Sequence, residues 1–86
     1  MMRVATKARP AGSPLAADDL VALGLTPRQA EILAWLAVGK TDAEIAAILA
    51  ISPRTVSHTL ARVYRKFGVE NRVAAVTYAL RQGARR

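Results

Sequence analysis

Along this chain the apolar residues recur three and four positions apart, in bursts that open on a hydroxyl- or amide-bearing residue and close on a small one. That spacing predicts helices. In Thr26-Pro27-Arg28-Gln29 the Thr26 hydroxyl and the Gln29 amide can satisfy backbone donors reciprocally, with Pro27 placed where no amide hydrogen is needed. A helix over Pro27–Val38 follows, with Ile32, Leu33 and Leu36 inward and Gly39 as its stop. Thr41-Asp42-Ala43-Glu44 repeats the capping pattern and opens a shorter helix that buries Ile45, Ala46 and Leu49 and ends near Ala50. Ser52-Pro53 starts a third, Pro53 to Phe67, with Val56, Leu60, Val63 and Phe67 on its inner stripe and Gly68 behind it. Asn71 caps a last helix from Arg72 to about Gln82, whose Ala75, Val76, Ala79 and Leu80 are expected to close the core. Upstream, Ser13 and Pro14 read as the cap and first residue of a short helix lined by Leu15, Leu20, Val21 and Leu23 and closed by Gly24. Met1 to Gly12 shows no periodicity and is expected to be a basic tail. No internal repeat is evident.

Composition narrows this to one all-α unit. With 86 residues there is room for a single domain, which at this size buries only about 60% of the unfolded chain's surface. Hydrophobic residues make up 52% and aromatic ones 5%, so much of the apolar material is alanine, which favours helix and close helix approach. The expected organisation is a basic tail or linker with the short helix over residues 1–24, a folded unit over 25–83 and a basic tail at 84–86. The absence of cysteine excludes disulfides and thiolate metal sites. The apolar runs Ile32 to Val38 and Ile45 to Ile51 are far shorter than the roughly 20 residues of a membrane span. Met1 to Pro10 has no apolar segment behind it, so a secretory signal is not expected and a cytoplasmic location is.

Charge then points to a partner. The net charge of +7 favours a polyanion, nucleic acid or an anionic membrane surface. The acids are Asp18, Asp19, Glu31, Asp42, Glu44 and Glu70, so the stretch from Ile45 to Val69 carries Arg54, Arg62, Arg65 and Lys66 with no acid. A basic run can be a solvated face and nothing more. Here, though, it lies on the second of two short helices joined by about three residues, the arrangement of a helix-turn-helix. Ala46 lets those helices approach, and Ile51 can pin the turn into the core. With the apolar stripe turned inward, Arg54, Ser57, His58, Ala61, Arg62 and Arg65 lie outward, facing a major groove about 12 Å wide. Ser57, His58, Ala61 and Arg62 are the candidates for reading base edges, and Arg54, Thr55, Arg65 and Lys66 for flanking phosphates. The helix starts at Thr41 and Ser52 could add phosphate contacts through backbone amides.

The runs L-T-P-R-Q-A-E-I-L from Leu25, G-K-T-D-A-E-I-A from Gly39, I-S-P-R-T-V from Ile51 and R-K-F-G-V-E-N-R from Arg65 closely resemble the LuxR-type (GerE/FixJ/NarL-like) DNA-binding domain of bacterial transcription regulators. The resemblance covers about Leu25 to Leu80, with several blocks in order and spacing. It implies four helices, the second and third reading double-stranded DNA and the fourth supporting a homodimer on a two-fold operator. By position it implies a phosphate contact for Thr55, a variable reading surface at Ser57, His58, Ala61 and Arg62, and a backbone contact for Lys66. Val73 and Thr77 are the candidates for the dimer contact, and RNA polymerase is a further candidate partner. The implied location is the bacterial cytoplasm, in association with the nucleoid. Departures from the pattern are Ser57, where a long polar residue is common, Thr59, where His is usual and His58 stands one place earlier, and Gln29 in place of Glu.

Other chemistries fit less well. His58 has no second histidine, cysteine or glycine-rich elbow to work with, and its neighbour Ser57 points elsewhere on a helix, so no catalytic residue is expected. One histidine makes no closed metal shell, and neither a cofactor nor a small-molecule ligand is expected. Trp35 lies off the centre of its helix's stripe, which fits partial burial beneath the N-terminal segment or a partner surface. Tyr64 and Tyr78 are expected to be half-buried, Arg72 to brace the last helix or touch phosphate, and Arg81, Arg85 and Arg86 to be solvated. The competing function is a helical interaction module that dimerises or binds polymerase without reading DNA, favoured by Ser57 and Thr59. The promoter-reading module of sigma factors is disfavoured, because the G-V-E-N-R segment and the last helix run past where that module stops. No sensory or phospho-acceptor domain is evident in these residues, and both a fragment of a longer regulator and a small stand-alone one remain open.

Overall fold

Capping chemistry sets most of the element boundaries in the computed structural model, which describes residues 12–84. Five helices follow one another: α1 (Ala17–Ala22), α2 (Pro27–Ala37), α3 (Asp42–Leu49), α4 (Pro53–Phe67) and α5 (Arg72–Ala84). The described residues are otherwise turns and short connections. Both expected capping boxes are formed. Thr26 accepts from the Gln29 amide at 3.1 Å while Gln29 accepts from the Thr26 amide at 3.0 Å, and Thr41 and Glu44 do the same at 3.1 and 2.8 Å. Ser52 accepts from the Thr55 amide at 3.1 Å to open α4, and Asn71 accepts from the Ala74 amide at 2.9 Å to open α5.

The helix ends are equally local. At Gly68, φ is 70°, and the amides of Gly68 and Val69 return to the carbonyls of Arg65 and Tyr64. The same left-handed turn closes α3, but on Ala50 with φ 57°, where a Cβ has to be tolerated. Its reward is that Ile51 donates to the Ala46 carbonyl at 3.0 Å and packs half-buried against the core, so three residues suffice to turn from α3 into α4.

Packing centres on α2, which touches the other four helices. Its Ala30, Ile32, Leu33 and Ala34 are each at most 1% exposed. Around them lie Leu15 and Leu20 from the N-terminal side, Ile45 and Ala46 of α3, Val56, Leu60, Val63 and Phe67 of α4, and Ala75 and Ala79 of α5. Tyr78 lays its ring against Phe67 with centroids 4.5 Å apart. Trp35 and Tyr64 are half-buried, and the Trp35 indole Nε1 is buried with no hydrogen-bond partner among the described residues.

Four expectations need correction. The short first helix begins at Ala17, not at Pro14, and its cap residue Ala16 offers no side-chain acceptor. Ser13 is occupied elsewhere: its hydroxyl accepts from the Leu15 amide at 3.1 Å and donates to the Ala34 carbonyl at 3.0 Å, stitching this segment to α2 so that Leu15 reaches the core. Val21, expected to line that helix, is 41% exposed. Leu80 does not close the core either. It is 40% exposed on the rim of a concavity between the segment around Leu15 and the end of α5, since the alanines at 75 and 79 already fill the contact with α2 and α4. Finally, α5 runs through Gly83 to Ala84 rather than stopping near Gln82. Of the expected basic tails, residues 1–11 of Met1 to Gly12 and Arg85 and Arg86 of 84–86 lie outside the described residues, while Ala84 belongs to α5.

Candidate nucleic-acid interface

The outward face of α4 is formed by the same helical period that buries its other side. With Val56, Leu60, Val63 and Phe67 at most 8% exposed, the turn of about 100° per residue leaves Arg54, Ser57, His58, Ala61, Arg62 and Arg65 in solvent, and all six are exposed. No acid lies on α4. The face runs the length of a 15-residue helix and is flanked at one end by the start of α3.

Three features were not visible in the sequence. The Ser57 hydroxyl donates to Asp42 Oδ2 at 2.8 Å, although the two lie 15 positions apart. The other carboxylate oxygen, Asp42 Oδ1, accepts from Arg72 at 3.1 Å, so one acid on α3 ties α4 to the first residue of α5. Arg72 therefore braces the last helix, one of its two expected roles. Lys66 is the third surprise: its ammonium donates to the Gly24 carbonyl and to Gln29 Oε1, both at 2.9 Å, and so is turned toward the start of α2. Gln29, 7% exposed, thus serves the capping box and Lys66 with one oxygen. No local signal could have found these bonds, because their partners are 15 to 42 positions apart.

The two helix starts beside this face differ electrostatically. At α3 the Thr41 amide and hydroxyl are both engaged by Glu44, whose carboxyl is held below its ordinary range chiefly by the Thr41 backbone amide, with help from the Thr41 hydroxyl and the Lys40 charge. At α4 no acid enters the first turn, and Ser52 and Thr55 share a hydroxyl contact of 2.9 Å. Behind α4, burial pushes the Tyr64 phenol above its usual value. Val73 and Thr77 lie apart from this face, on α5, where Val73 is 71% exposed and both residues border concavities on either side. Among the described residues no group of histidines and acids is placed to hold a metal ion, and no helix is long and apolar enough to cross a membrane.

Comparison with known proteins agrees with this geometry. Residues 23–79 match the family described as bacterial regulatory proteins, luxR family (GerE). The chain is 52% identical over 59 residues to the HTH-type quorum sensing-dependent transcriptional regulator RpaR of Rhodopseudomonas palustris, covering 69% of this chain and 24% of the relative. It is 46% identical to the transcriptional activator protein BjaR1 of Bradyrhizobium diazoefficiens, covering 66% of this chain and 24% of that one. With the transcriptional activator protein AhyR of Aeromonas hydrophila it shares 46% identity over 69% of this chain and 23% of the relative. The chain thus spans about a quarter of the length of these relatives. No solved structure gives a significant match. The matched segment runs from the end of α1 through Ala79 and contains both helices of the α3–α4 unit together with the basic face of α4. This chain belongs to the luxR family of bacterial regulatory proteins, a non-enzymatic family, and carries its helix-turn-helix DNA-binding domain.

Proposed function

We propose that this chain binds double-stranded DNA sequence-specifically by laying α4 in the major groove, as one half of a homodimer on two half-sites about one helical turn apart. The observation that carries this reading is the two-sidedness of α4: an apolar stripe locked into the core and an exposed, acid-free face bearing Arg54, Arg62 and Arg65. His58, Ala61 and Arg62, with Ser57, read base edges. Arg54, Thr55, Arg65 and the start of α4 at Ser52 hold phosphates. Thr41 is the weaker phosphate site, since Glu44 already engages its amide and hydroxyl. Lys66 keeps one ammonium hydrogen for a phosphate beyond its two bonds to the α2 side. Val73 and Thr77 form the ridge that meets the same ridge of a second copy, as an isologous contact requires.

The names of the relatives speak of quorum sensing-dependent regulation and of transcriptional activation. We read this chain as the output end of such a regulator, acting in the bacterial cytoplasm at the nucleoid, with RNA polymerase as a second partner once it is on DNA. Enrichment of bound duplexes from a random pool, at defined salt, tests the reading. A motif with half-site symmetry is expected, and affinity should fall with salt at about −0.9 per phosphate neutralised, for about four to six phosphates per monomer. Arg62→Ala should weaken binding to the motif more than binding to random sequence. A flat salt titration with no enriched motif, alongside a stable protein complex in pull-down, would favour the interaction module instead.

A further inference from the structure

We propose that Asp42 sets the base preference of Ser57, by committing the serine's only proton and leaving an acceptor to face the groove. This rests on the DNA-binding reading above. A serine hydroxyl has one hydrogen to donate and two lone pairs to accept with. At 2.8 Å from Asp42 Oδ2 that hydrogen is spent, because a carboxylate can only accept. The bond is charge-assisted and so outcompetes a neutral base acceptor. Arg72, at 3.1 Å from the other oxygen, fixes the carboxylate's orientation and offsets its charge beside a polyanion.

An acceptor-only hydroxyl discriminates among bases. In the major groove guanine offers N7 and O6, and thymine O4, all acceptors, whereas adenine and cytosine each present an exocyclic amino group. A free serine serves either kind. Ser57 in this chain serves the amino-bearing bases and leaves an unpaired acceptor against guanine or thymine. The position it reads is therefore adenine or cytosine on the contacted strand, and Asp42, which need touch no base, is a positioning residue for that choice.

The test compares enriched motifs for the full chain, Ser57→Ala and Asp42→Ala, with thermal melts to confirm folding. In the unsubstituted chain the position that responds to Ser57→Ala should show adenine or cytosine. Replacing that base by an analogue lacking only its amino group should weaken binding about two- to tenfold, and should have no further effect on Ser57→Ala. Asp42→Ala, by freeing the proton, should admit guanine or thymine there while the rest of the motif stands. A guanine or thymine preference at that position in the unsubstituted chain overturns the proposal, as does an unchanged preference in a folded Asp42→Ala or a motif indifferent to Ser57→Ala. Should Asp42→Ala fail to fold, the discrimination itself decides: a free serine admits all four bases, so a rejection of guanine and thymine that vanishes in Ser57→Ala upholds the proposal and their acceptance in the unsubstituted chain overturns it. A motif that forms without these dependences sinks only this inference, whereas no motif at all sinks the DNA-binding reading with it.

Discussion

Lys66 shows how one side chain can carry a different duty from the one its charge suggests. In an acid-free basic segment it reads as a phosphate contact, yet two of its three donors close the gap between the end of α4 and the start of α2. Lys66→Met, which keeps the aliphatic stem and removes the donors, should destabilise the fold by about 1 kcal/mol in urea titration, mostly from the lost bond to the part-buried Gln29 oxygen, since the exposed Gly24 carbonyl regains water. A change confined to DNA affinity, with the urea midpoint unmoved, would leave Lys66 with the phosphate contact alone. Glu44 gives a pH signature. Its pKa is lower in the folded chain than in the unfolded one, so the unfolded state takes up the proton first and stability falls with acid. The contribution is present in full above the ordinary carboxylate value near 4.5 and is lost as pH drops through the lower folded value. Glu44→Gln keeps the capping geometry and should flatten that acid limb in melts run across the range.

At the level of elements, the turn between α3 and α4 is where the chain accepts strain. Ala50 holds φ 57° where Gly68, in the equivalent position after α4, holds φ 70° at no steric cost. Ala50→Gly should therefore raise stability by about 0.5–1 kcal/mol, while Gly68→Ala should lower it by a comparable amount, both read from thermal midpoints. Ala46, 3% exposed where α3 meets α4, tests the spacing of the pair. Ala46→Leu adds volume with nowhere to go and should cost about 1–3 kcal/mol, and by pushing α4 out of register it should weaken binding to the motif as well.

For the molecule as a whole the question is how the proposed reading face on α4 and the proposed pairing ridge on α5 relate. They stand on different helices, α4 and α5, which pack together and are joined through Arg72, Asp42 and Ser57. Because Val73 is 71% exposed, Val73→Asp should leave the fold and half-site binding intact while lowering affinity for the paired site by about tenfold or more, as measured by gel shift on whole and half operators. Equal affinity for both operators before and after the change would place the pairing surface elsewhere.

Four of the five helices were legible from the chain alone, and α4 was legible to the residue, because the signals that start and stop them act within one turn: Thr26 with Gln29, Thr41 with Glu44, Ser52 with Thr55, and Gly68 in its left-handed turn. The exposed basic face followed from helical period and charge. The first helix was misplaced because the Ser13 hydroxyl serves a carbonyl 21 positions away, a partner no local pattern discloses. What only the tertiary structure decided is which polar side chains are already engaged. Ser57 and Lys66 read in the sequence as groups for DNA, and for Arg72 the sequence leaves bracing and phosphate both open; each is bound across the fold, since a hydrogen bond depends on where two helices are brought within about 3 Å and not on their order along the chain.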